Sequence, residues 1–177
     1  YEIDIQKPYN RDPSFGRFLY EELFKHIMLP GSHIHTPASC SQNPEQSCSA
    51  YEQTIQRCGG IDLQLLGIGR NGHIGFNEPG SSFDSRTRIV ELNEQTRMVN
   101  FEKFFKPAHI PFTSMPRHAV TAGIGTIMEA KKIIMLANGQ DKTEAVKAML
   151  CGPYSEDVPA SVLQKHHDAT LITDVKV

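Results

Sequence analysis

The sequence carries almost no net charge, and this balance argues against two broad classes of partner. Its 177 residues include 18 Lys and Arg against 20 Asp and Glu, which gives a formal net charge of -2 at pH 7. Nucleic acids and acidic membranes attract strongly basic surfaces. We therefore expect neither a nucleic acid nor a membrane as a partner.

Long apolar runs and paired cysteines are also missing. No run approaches the roughly 20 apolar residues of a membrane-spanning helix, and no basic segment followed by an apolar one indicates a secretory signal. The four cysteines, Cys40, Cys48, Cys58 and Cys151, form no CxxC pair and are too few for a disulfide framework. These absences predict a cytoplasmic protein with reduced cysteines. Cys48 and Cys58 lie on one face of a predicted helix and are interpreted as small apolar core residues.

Apolar runs alternate with helical patterns along the chain. Strand-like runs cover residues 61–68, 133–137 and 169–173, while residues 44–58 and 143–150 repeat apolar side chains at helical spacing. Such alternation predicts an α/β fold with a mainly parallel sheet flanked by helices. The length suffices for one domain with a real core, so we assign residues 1–177 to a single domain.

Shorter elements are expected between these segments. Asp12-Pro13-Ser14 is typical of a helix start, and Leu29-Pro30-Gly31 would end that helix. Residues 100–108 predict a helical turn stopped by Pro107. Residues 87–92 predict a strand, and residues 118–124 predict another strand and a Gly-containing turn.

The segment LLGIGRNGHIGFNEPG, residues 65–80, joins an apolar strand to a turn rich in glycine. A buried parallel strand delivers such a loop to the carboxyl edge of a sheet, where open α/β folds bind ligands. Residues 67–72 satisfy GxGxxG, and Glu91 lies where a ribose-binding acid would follow. A dinucleotide site also requires a helix directly after the last glycine. HIGFNEPG has no helical periodicity, so this interpretation is disfavoured.

Three polar residues of this loop predict acid–base chemistry instead. His73 is a candidate acid–base group, because histidine is the side chain best suited to exchange protons at physiological pH. Glu78 can orient it or share its proton, and Asn71 can fix its tautomer through a hydrogen bond. The alternative is that His73 is a satisfied buried histidine and Glu78 a solvated loop acid. The density of glycines around these residues favours the acid–base interpretation.

Two further positions are candidates for binding. Lys142 follows a predicted strand and begins a predicted helix, where a phosphate would meet both its charge and the helix N–H groups. The alternative for Lys142 is a solvated surface lysine. His33 and His35 form an HxH pair, but no third ligand follows at a telling distance, so a metal site there is disfavoured.

Four blocks of the sequence resemble the glucosamine-6-phosphate deaminase/isomerase family. They are GIGRNGHIGFNEPGSS with SRTRIVEL, then Thr96-Arg97, VTAGIGTIMEAKKIIMLANGQDK and VPASVLQKHHDATLITD. The resemblance extends from about Asp12 to Asp174. The related 6-phosphogluconolactonases share the fold and a Gly-His loop, but they lack the Asn-Glu-Pro found at residues 77–79 and are the lesser match.

The resemblance implies a Rossmann-like deaminase/isomerase fold and assigns roles to residues. It implies that His73 opens the sugar ring, that Glu78 orients this histidine, and that Gly67 lies close to the substrate. Lys142 would hold the sugar phosphate, and Lys103 would stand in for a family arginine at a position that reads Glu102 here. No metal or organic cofactor is implied; the ligand is a small-molecule sugar phosphate, and homo-oligomerisation is left open.

Three departures from the family pattern qualify the substrate and its regulation. Asn71 replaces the usual Asp, as it does in galactosamine-type branches. Arg88 matches an arginine of the family's allosteric site, but the lysine two positions later is Val90, and an arginine on an exposed strand edge is the alternative. The family's N-terminal segment, with a phosphate loop and a proton-transferring Asp, has no matching motif in these 177 residues.

The resemblance thus implies an enzyme that converts glucosamine 6-phosphate to fructose 6-phosphate and ammonia. The first alternative is a non-catalytic sugar-phosphate-binding or regulatory remnant of the family. Lesser alternatives are a galactosamine-6-phosphate isomerase and a hydrolase like the 6-phosphogluconolactonases.

Overall fold

Three parallel strands form the sheet that positions the glycine-rich loop. The computed structural model describes residues 15–37 and 43–176, except for the side chain of Arg17. The strand order is β1-β4-β5, and both neighbouring pairs are parallel. The strands of the described chain are β1 (Leu63–Gly67), β2 (Arg88–Glu91), β3 (His118–Thr121), β4 (Lys132–Ala137) and β5 (Ala169–Thr173). Gly67 pairs with Leu136, and Leu136 with Ile172, so all three strands end at the same edge.

The α-helices of the described chain are α1 (Phe15–Glu22), α2 (Pro44–Arg57), α3 (Glu94–Asn100), α4 (Ile124–Met128) and α5 (Thr143–Cys151). Short 3-10 turns cover Phe24–His26, Gly31–His33, Phe112–Ser114 and Gln140–Lys142; a longer 3-10 segment covers Pro159–Lys165, and a π-helical turn covers Phe101–Phe105.

The chain divides into two compact units. Unit 1 contains residues 1–54 and 89–120, and unit 2 contains residues 55–88 and 121–177. Unit 2 holds the three-stranded sheet, α4, α5 and the whole glycine-rich loop. The assignment of residues 1–177 to one domain stays a prediction.

The core of unit 2 lies on one face of the sheet. Leu66, Ile133 and Met135 alternate along β1 and β4 and are buried with residues of α4, α5 and the Pro159–Lys165 segment. Alternation follows from the two-residue period of a strand. The predicted α/β fold, with a mainly parallel sheet flanked by helices, is confirmed.

The opposite face of this sheet is exposed, although it was predicted to be buried. The apolar runs predicted strands buried on both faces, but Leu63, Leu65, Leu136 and Ile172 are exposed in this structure. The strands are therefore placed as predicted, while their burial is confined to every second side chain.

Two helices of the chain begin at asparagine caps. Asn43 Oδ1 accepts a hydrogen bond from Gln46 N (3.0 Å) at the start of α2, and Asn93 Oδ1 accepts one from Thr96 N (2.7 Å) at the start of α3. Such caps satisfy backbone N–H groups that lack an intrahelical partner. Helix α3 was not predicted, because its polar residues give little apolar periodicity.

Unit 1 also contains aromatic contacts around the π-helical turn. The Phe104 ring meets the rings of Phe15 and Phe18 edge-on, with centroids 5.5 and 5.9 Å away. Such contacts stabilise beyond the burial of area alone. The predicted first helix ends earlier than expected, since α1 stops at Glu22 and the 3-10 turn Phe24–His26 follows; its predicted start at Asp12-Pro13-Ser14 lies outside the described residues.

Cys48 lies in the core as expected, but the same expectation is wrong for Cys58. Cys48, Cys58 and Cys151 are all free, but only Cys48 is buried among them. Cys58 lies after the last residue of α2, where Gly59 and Gly60 turn the chain with positive φ. Among the residues described, none of the helices combines the length and the apolar character that crossing a membrane requires.

Iodoacetamide should therefore distinguish these cysteines in the folded protein. Burial raises the pKa of the Cys48 thiol above its usual range, and thiolates are the reacting species. We expect Cys48 to be alkylated about tenfold or more slowly than Cys58 and Cys151 at neutral pH. Peptide mass spectrometry after a timed reaction measures this, and equal rates at Cys48 and Cys58 in folded protein would contradict the packing of α2.

Candidate functional site

The glycine-rich loop leaves the carboxyl edge of the sheet at the end of β1. Ile68 and Ile74 form an isolated antiparallel bridge, as do Ile74 and Asn77. Gly69 N donates to the carbonyl of His73 (2.9 Å), which closes the turn between them. No helix occurs between β1 and β2, a stretch that the structure describes throughout. The dinucleotide interpretation is therefore wrong, because it needs a helix N-terminus directly after Gly72.

Three side chains of this loop form a connected hydrogen-bonded chain. His73 Nδ1 lies 2.7 Å from Asn71 Oδ1, and Asn71 Nδ2 donates to Glu78 Oε2 (2.7 Å). His73 Nδ1 and Glu78 Oε2 are 3.5 Å apart, so Asn71 links them more tightly than they contact each other. The structure thus brings together the three residues that the sequence singled out for acid–base chemistry.

The chemistry of these partners fixes the tautomer of His73. An ionised carboxylate only accepts hydrogen bonds, so the Asn71 amide must turn its NH2 group to Glu78 and its oxygen to the imidazole. An amide oxygen cannot donate, so His73 Nδ1 carries the proton. In the neutral ring, Nε2 is then left with its lone pair, ready to accept a proton from a ligand.

The exposure of His73 and Glu78 does not match the alternative interpretation, in which His73 is a satisfied buried histidine and Glu78 a solvated loop acid. The His73 side chain is 20% exposed and that of Glu78 15% exposed. A satisfied buried histidine would be inaccessible, and a solvated loop acid would be open to water. Both groups are instead partly shielded, which strengthens electrostatic interaction while leaving access for a small molecule.

Gly69 fixes the position of the imidazole by its lack of a side chain. A Cβ at this residue would collide with Cε1, Nδ1 and Nε2 of the His73 ring. Gly69 itself is buried and does not have positive φ, so its backbone accepts alanine and only the ring must move.

We therefore expect Gly69→Ala to reduce turnover of the substrate about 100-fold, because a misplacement of about 1 Å at a catalytic group has that effect. Steady-state kinetics together with the urea midpoint of unfolding measure this. Gly31→Ala is the matched control, since a Cβ there meets nothing within 4 Å. Full activity in Gly69→Ala would show that the ring position is not critical.

Asn77 anchors the second half of the loop from within the core. It is fully buried, and its Nδ2 donates to the carbonyls of Ile74 and Ala122, both at 2.9 Å. Its Oδ1 accepts from Arg88 Nη1 (2.7 Å), while Arg88 Nη2 donates to Ser81 Oγ (3.2 Å). The Asn77 side chain therefore ties the turn at Ile74 to Ala122 and to Arg88, and so fixes the segment that carries Glu78.

Arg88 is accordingly not an arginine on an exposed strand edge. Its guanidinium is half-buried at the start of β2, and burial lowers its pKa below the ordinary arginine value. It holds the loop through Asn77, a contact that sequence reasoning missed. The signal that could have found it is the Asn of Asn-Glu-Pro, a polar residue between apolar Phe76 and the candidate acid.

Neighbouring segments of unit 2 hold the loop from two further sides. Phe76 N donates to Thr121 Oγ1 (3.1 Å) at the end of β3. Ala160 N donates to the Gly72 carbonyl (2.9 Å), and a Cβ at Gly72 would strike Val158. The loop is therefore fixed in place before any ligand arrives, as precise acid–base chemistry requires.

Lys142 lies at the same edge of the sheet, after β4. The 3-10 turn Gln140–Lys142 leads directly into α5, and Gly139 takes φ 95° to make the bend. Gly139 N donates to Asp174 Oδ1 (2.9 Å), which fixes the turn to the end of β5. Lys142 is half-buried at the N-terminus of α5, as the phosphate prediction requires.

The remaining two predicted residues differ in their surroundings. Gly67 ends β1 and is exposed, with open space where a Cβ would stand. Lys103 belongs to unit 1, where it is exposed on the π-helical turn Phe101–Phe105. Beside it, Glu102 pairs with Lys106 (2.7 Å) on the same surface. The roles of Gly67 and Lys103 stay predictions.

The donor groups in the described part of the chain do not gather as a metal site would. Within residues 15–37 and 43–176, no group of three or more His, Cys, Asp or Glu side chains lies close enough together to hold a metal ion.

A parallel sheet that carries a fixed loop at its carboxyl edge is the usual ligand-binding arrangement of open α/β folds, and comparison with known proteins gives the family. Residues 8–172 match the family described as glucosamine-6-phosphate isomerases/6-phosphogluconolactonase. The chain belongs to this family, as its sequence blocks indicated.

Individual relatives agree with this assignment. Glucosamine-6-phosphate deaminase 2 of Bacillus subtilis is 48% identical over 164 residues, which is 92% of this chain and 64% of that protein. The structure of a monomeric glucosamine-6-phosphate deaminase has a TM-score of 0.86 and 43% identity, covering 97% of this chain and 67% of the other. A 6-phosphogluconolactonase from Thermotoga maritima, with a TM-score of 0.70 and 21% identity over 96% of this chain and 68% of the other, shares the fold.

The chain is shorter than the relatives that it matches. This chain spans less than two thirds of the length of the curated relatives that it matches first, 64% of one and 62% of another.

Proposed function

We propose that this protein is an amino-sugar 6-phosphate deaminase/isomerase that converts glucosamine 6-phosphate to fructose 6-phosphate and ammonia. The observation that carries the proposal is the chain from His73 through Asn71 to Glu78, held at the carboxyl edge of the sheet. The names of the relatives, glucosamine-6-phosphate deaminases at 45–48% identity, supply the substrate.

His73 is proposed to open the sugar ring. Its Nε2 takes the proton of the anomeric hydroxyl and returns a proton to the ring oxygen as the C1–O bond breaks, which gives the open-chain aldehyde. Nδ1–H remains bound to Asn71, so the ring keeps its orientation throughout. The negative charge of Glu78, transmitted through Asn71, stabilises the imidazolium that forms between the two proton transfers.

The later steps move a proton and release nitrogen. Transfer of a proton from C2 to C1, with a second proton passing from the amino group to O1, converts the 2-amino aldehyde to a 1-hydroxy imine whose C=N bond is at C2. Water then adds to C2, and ammonia leaves to give the ketose. We assign ring opening to His73 and leave the C2-to-C1 transfer without a residue of this chain.

Binding of the substrate is proposed to use the same edge of the sheet. Lys142, with the first N–H groups of α5, holds the phosphate. Gly67 gives the sugar close access to the end of β1, since no atom stands where its Cβ would be. Lys103 is proposed as a second contact to the phosphate, in the place of the family arginine. A cytoplasmic location and a place in N-acetylglucosamine catabolism belong to the same proposal.

A non-catalytic sugar-phosphate-binding protein is the second candidate. The observation that favours it is Lys142 at the N-terminus of α5, which can bind a phosphate whether or not the loop at His73 is catalytic. Such a protein would bind glucosamine 6-phosphate through Lys142 without releasing ammonia.

Ammonia release decides between the two candidates. The 177-residue chain and the complete chain encoded by its gene are supplied with glucosamine 6-phosphate, with galactosamine 6-phosphate, and with 6-phosphogluconolactone, whose hydrolysis is followed separately. We expect ammonia from glucosamine 6-phosphate. Calorimetric binding without ammonia from either chain would support the second candidate, and hydrolysis of the lactone alone would overturn both.

A further inference from the structure

An ion pair joins the two loops that carry the candidate site. Arg70 follows β1 within the glycine-rich loop, and Asp141 precedes Lys142 in the turn after β4. Arg70 Nε lies 2.8 Å from Asp141 Oδ2. Strands β1 and β4 are parallel neighbours, so this contact spans the carboxyl edge at which the ligand is proposed to bind.

The stability of the fold does not explain this pair. The side chain of Arg70 is 55% exposed and that of Asp141 44% exposed. Exposed ion pairs typically contribute about 0–1 kcal/mol, since water screens them and two long side chains lose freedom. The pair joins the loop that carries His73 to the turn that carries Lys142, and this position calls for a different explanation.

The carboxylate of Asp141 lies in the field of two cations. The hydrogen bond from Arg70 is the largest of the effects that lower the pKa of Asp141, and the charge of the adjacent Lys142 also lowers it. A carboxylate stabilised by an arginine and a lysine occupies a place where any anion of similar size is stabilised. A phosphate oxygen is such an anion.

The guanidinium of Arg70 also has capacity left for a ligand. Only its Nε takes part in the contact with Asp141, and within the described residues no hydrogen bond of Nη1 or Nη2 is found. A planar guanidinium with two free terminal nitrogens matches the oxygens of a phosphate monoester.

We propose that Arg70 is a further phosphate-binding cation, in addition to Lys142 and Lys103, and that Asp141 holds its guanidinium in place and competes with the ligand for it. The ligand class is a phosphate monoester dianion. The proposal deepens the proposed function and rests on it for the identity of the sugar. Arg70 thereby supplies a cation from within unit 2, whereas Lys103 belongs to unit 1.

The chain offers a matched control at the other end of the same strands. Lys131 Nζ and Asp62 Oδ1 form an exposed ion pair (2.6 Å) that joins the residues just before β4 and β1. This pair has the same charges and links the same two strands, but it lies at the amino edge of the sheet. Lys131→Gln and Asp62→Asn therefore reproduce the changes of charge without touching the proposed site.

The test is a double-mutant cycle on binding, which does not depend on turnover. The affinities of inorganic phosphate and of 2-amino-2-deoxyglucitol 6-phosphate, an open-chain analogue that cannot react, are measured by calorimetry. We expect Arg70→Gln to weaken the binding of both about tenfold or more, and Asp141→Asn to tighten it about threefold, because charge-assisted hydrogen bonds to phosphate are gained or lost. The double variant should bind as Arg70→Gln does, and Lys131→Gln and Asp62→Asn as the unaltered protein does.

Every outcome bears on the proposal. Unchanged affinity in Arg70→Gln, tighter binding by Asp141→Asn even without Arg70, or equal losses in Lys131→Gln would overturn it. So would an unaltered protein that binds neither phosphate ligand. An unaltered protein that binds the analogue and follows the expected cycle, yet releases no ammonia, would overturn the proposed function while leaving the role of Arg70 intact. In an active enzyme, Arg70→Gln should raise KM and leave kcat within about twofold, the mark of lost uniform binding.

Discussion

Replacing His73 by glutamine is expected to lower ammonia release from glucosamine 6-phosphate by about 10²- to 10⁴-fold, the usual contribution of a general acid–base group. Glutamine cannot exchange protons near neutral pH, so ring opening loses its catalyst. Its amide NH2 can still donate to Asn71 Oδ1, the partner of the imidazole in the folded protein. The free energy of unfolding should therefore change by less than about 1 kcal/mol.

The control for this variant is His118→Gln, which replaces an exposed histidine on β3 and should leave the rate unchanged. Urea unfolding of both variants separates a loss of chemistry from a loss of fold. If His73→Gln turns over substrate at the rate of the unaltered protein, the role given to His73 is wrong. Glu78→Gln should cause a smaller loss than His73→Gln, because it removes only the charge that stabilises the imidazolium through Asn71.

Replacing Asn77 by alanine is expected to reduce the free energy of unfolding by about 3 kcal/mol or more. The side chain is fully buried, and its removal deletes its hydrogen bonds to the carbonyls of Ile74 and Ala122 and from Arg88 Nη1. The two carbonyls still accept from the backbone N of residue 77 and from Thr121 Oγ1, but Arg88 Nη1 loses its acceptor. Two neutral hydrogen bonds at about 1 kcal/mol each and one to a charged group at about 1.5–3 kcal/mol account for the expected loss. Urea denaturation, read from the midpoint at constant slope, measures the loss.

Ser81→Ala is the matched control for Asn77→Ala. It removes one hydrogen bond from the same guanidinium, at 3.2 Å and nearer the surface. Its cost should stay within about 0.5–1.5 kcal/mol, the usual net value of one hydrogen bond. If Asn77→Ala proves no more costly than Ser81→Ala, then Asn77 does not anchor the loop, and the fixed separation of His73 and Glu78 has another origin.

The acid–base loop could be predicted because its chemistry is local. His73, Asn71 and Glu78 are close in sequence, and glycines around them indicated a backbone that approaches a ligand. The order of contacts was not predictable. Whether Glu78 contacts the imidazole directly or through Asn71 depends on the geometry of the turn between residues 74 and 77. The sequence alone does not determine that geometry.

Arg88 shows why side-chain contacts across a turn cannot be predicted from the sequence. Strand periodicity placed it on a strand, correctly, but the direction of its side chain depends on where the loop before it folds back. The exposure of one face of β1 and β4 was not predicted, for a related reason. A continuous apolar run does not say which side chains a neighbour will cover.

Some helices could be predicted from apolar periodicity, and others could not. The predicted helix at 143–150 is confirmed as α5, since Ala145, Val146 and Met149 give it a clear apolar face. Helix α3 was missed because its start depends on the cap at Asn93 more than on periodicity. Cys58 was misjudged because helical spacing was continued past Arg57, where α2 ends.

The most direct test of the central claim is to follow the carbon and the nitrogen of one substrate together. Glucosamine 6-phosphate labelled with 13C at C2 is incubated with the complete chain, and carbon NMR is recorded while ammonia is assayed in the same sample. We predict that the C2 signal of fructose 6-phosphate grows in equal amount with ammonia, and that neither appears with His73→Gln. Labelled glucosamine 6-phosphate recovered unchanged, from a folded protein that binds it, would contradict the account.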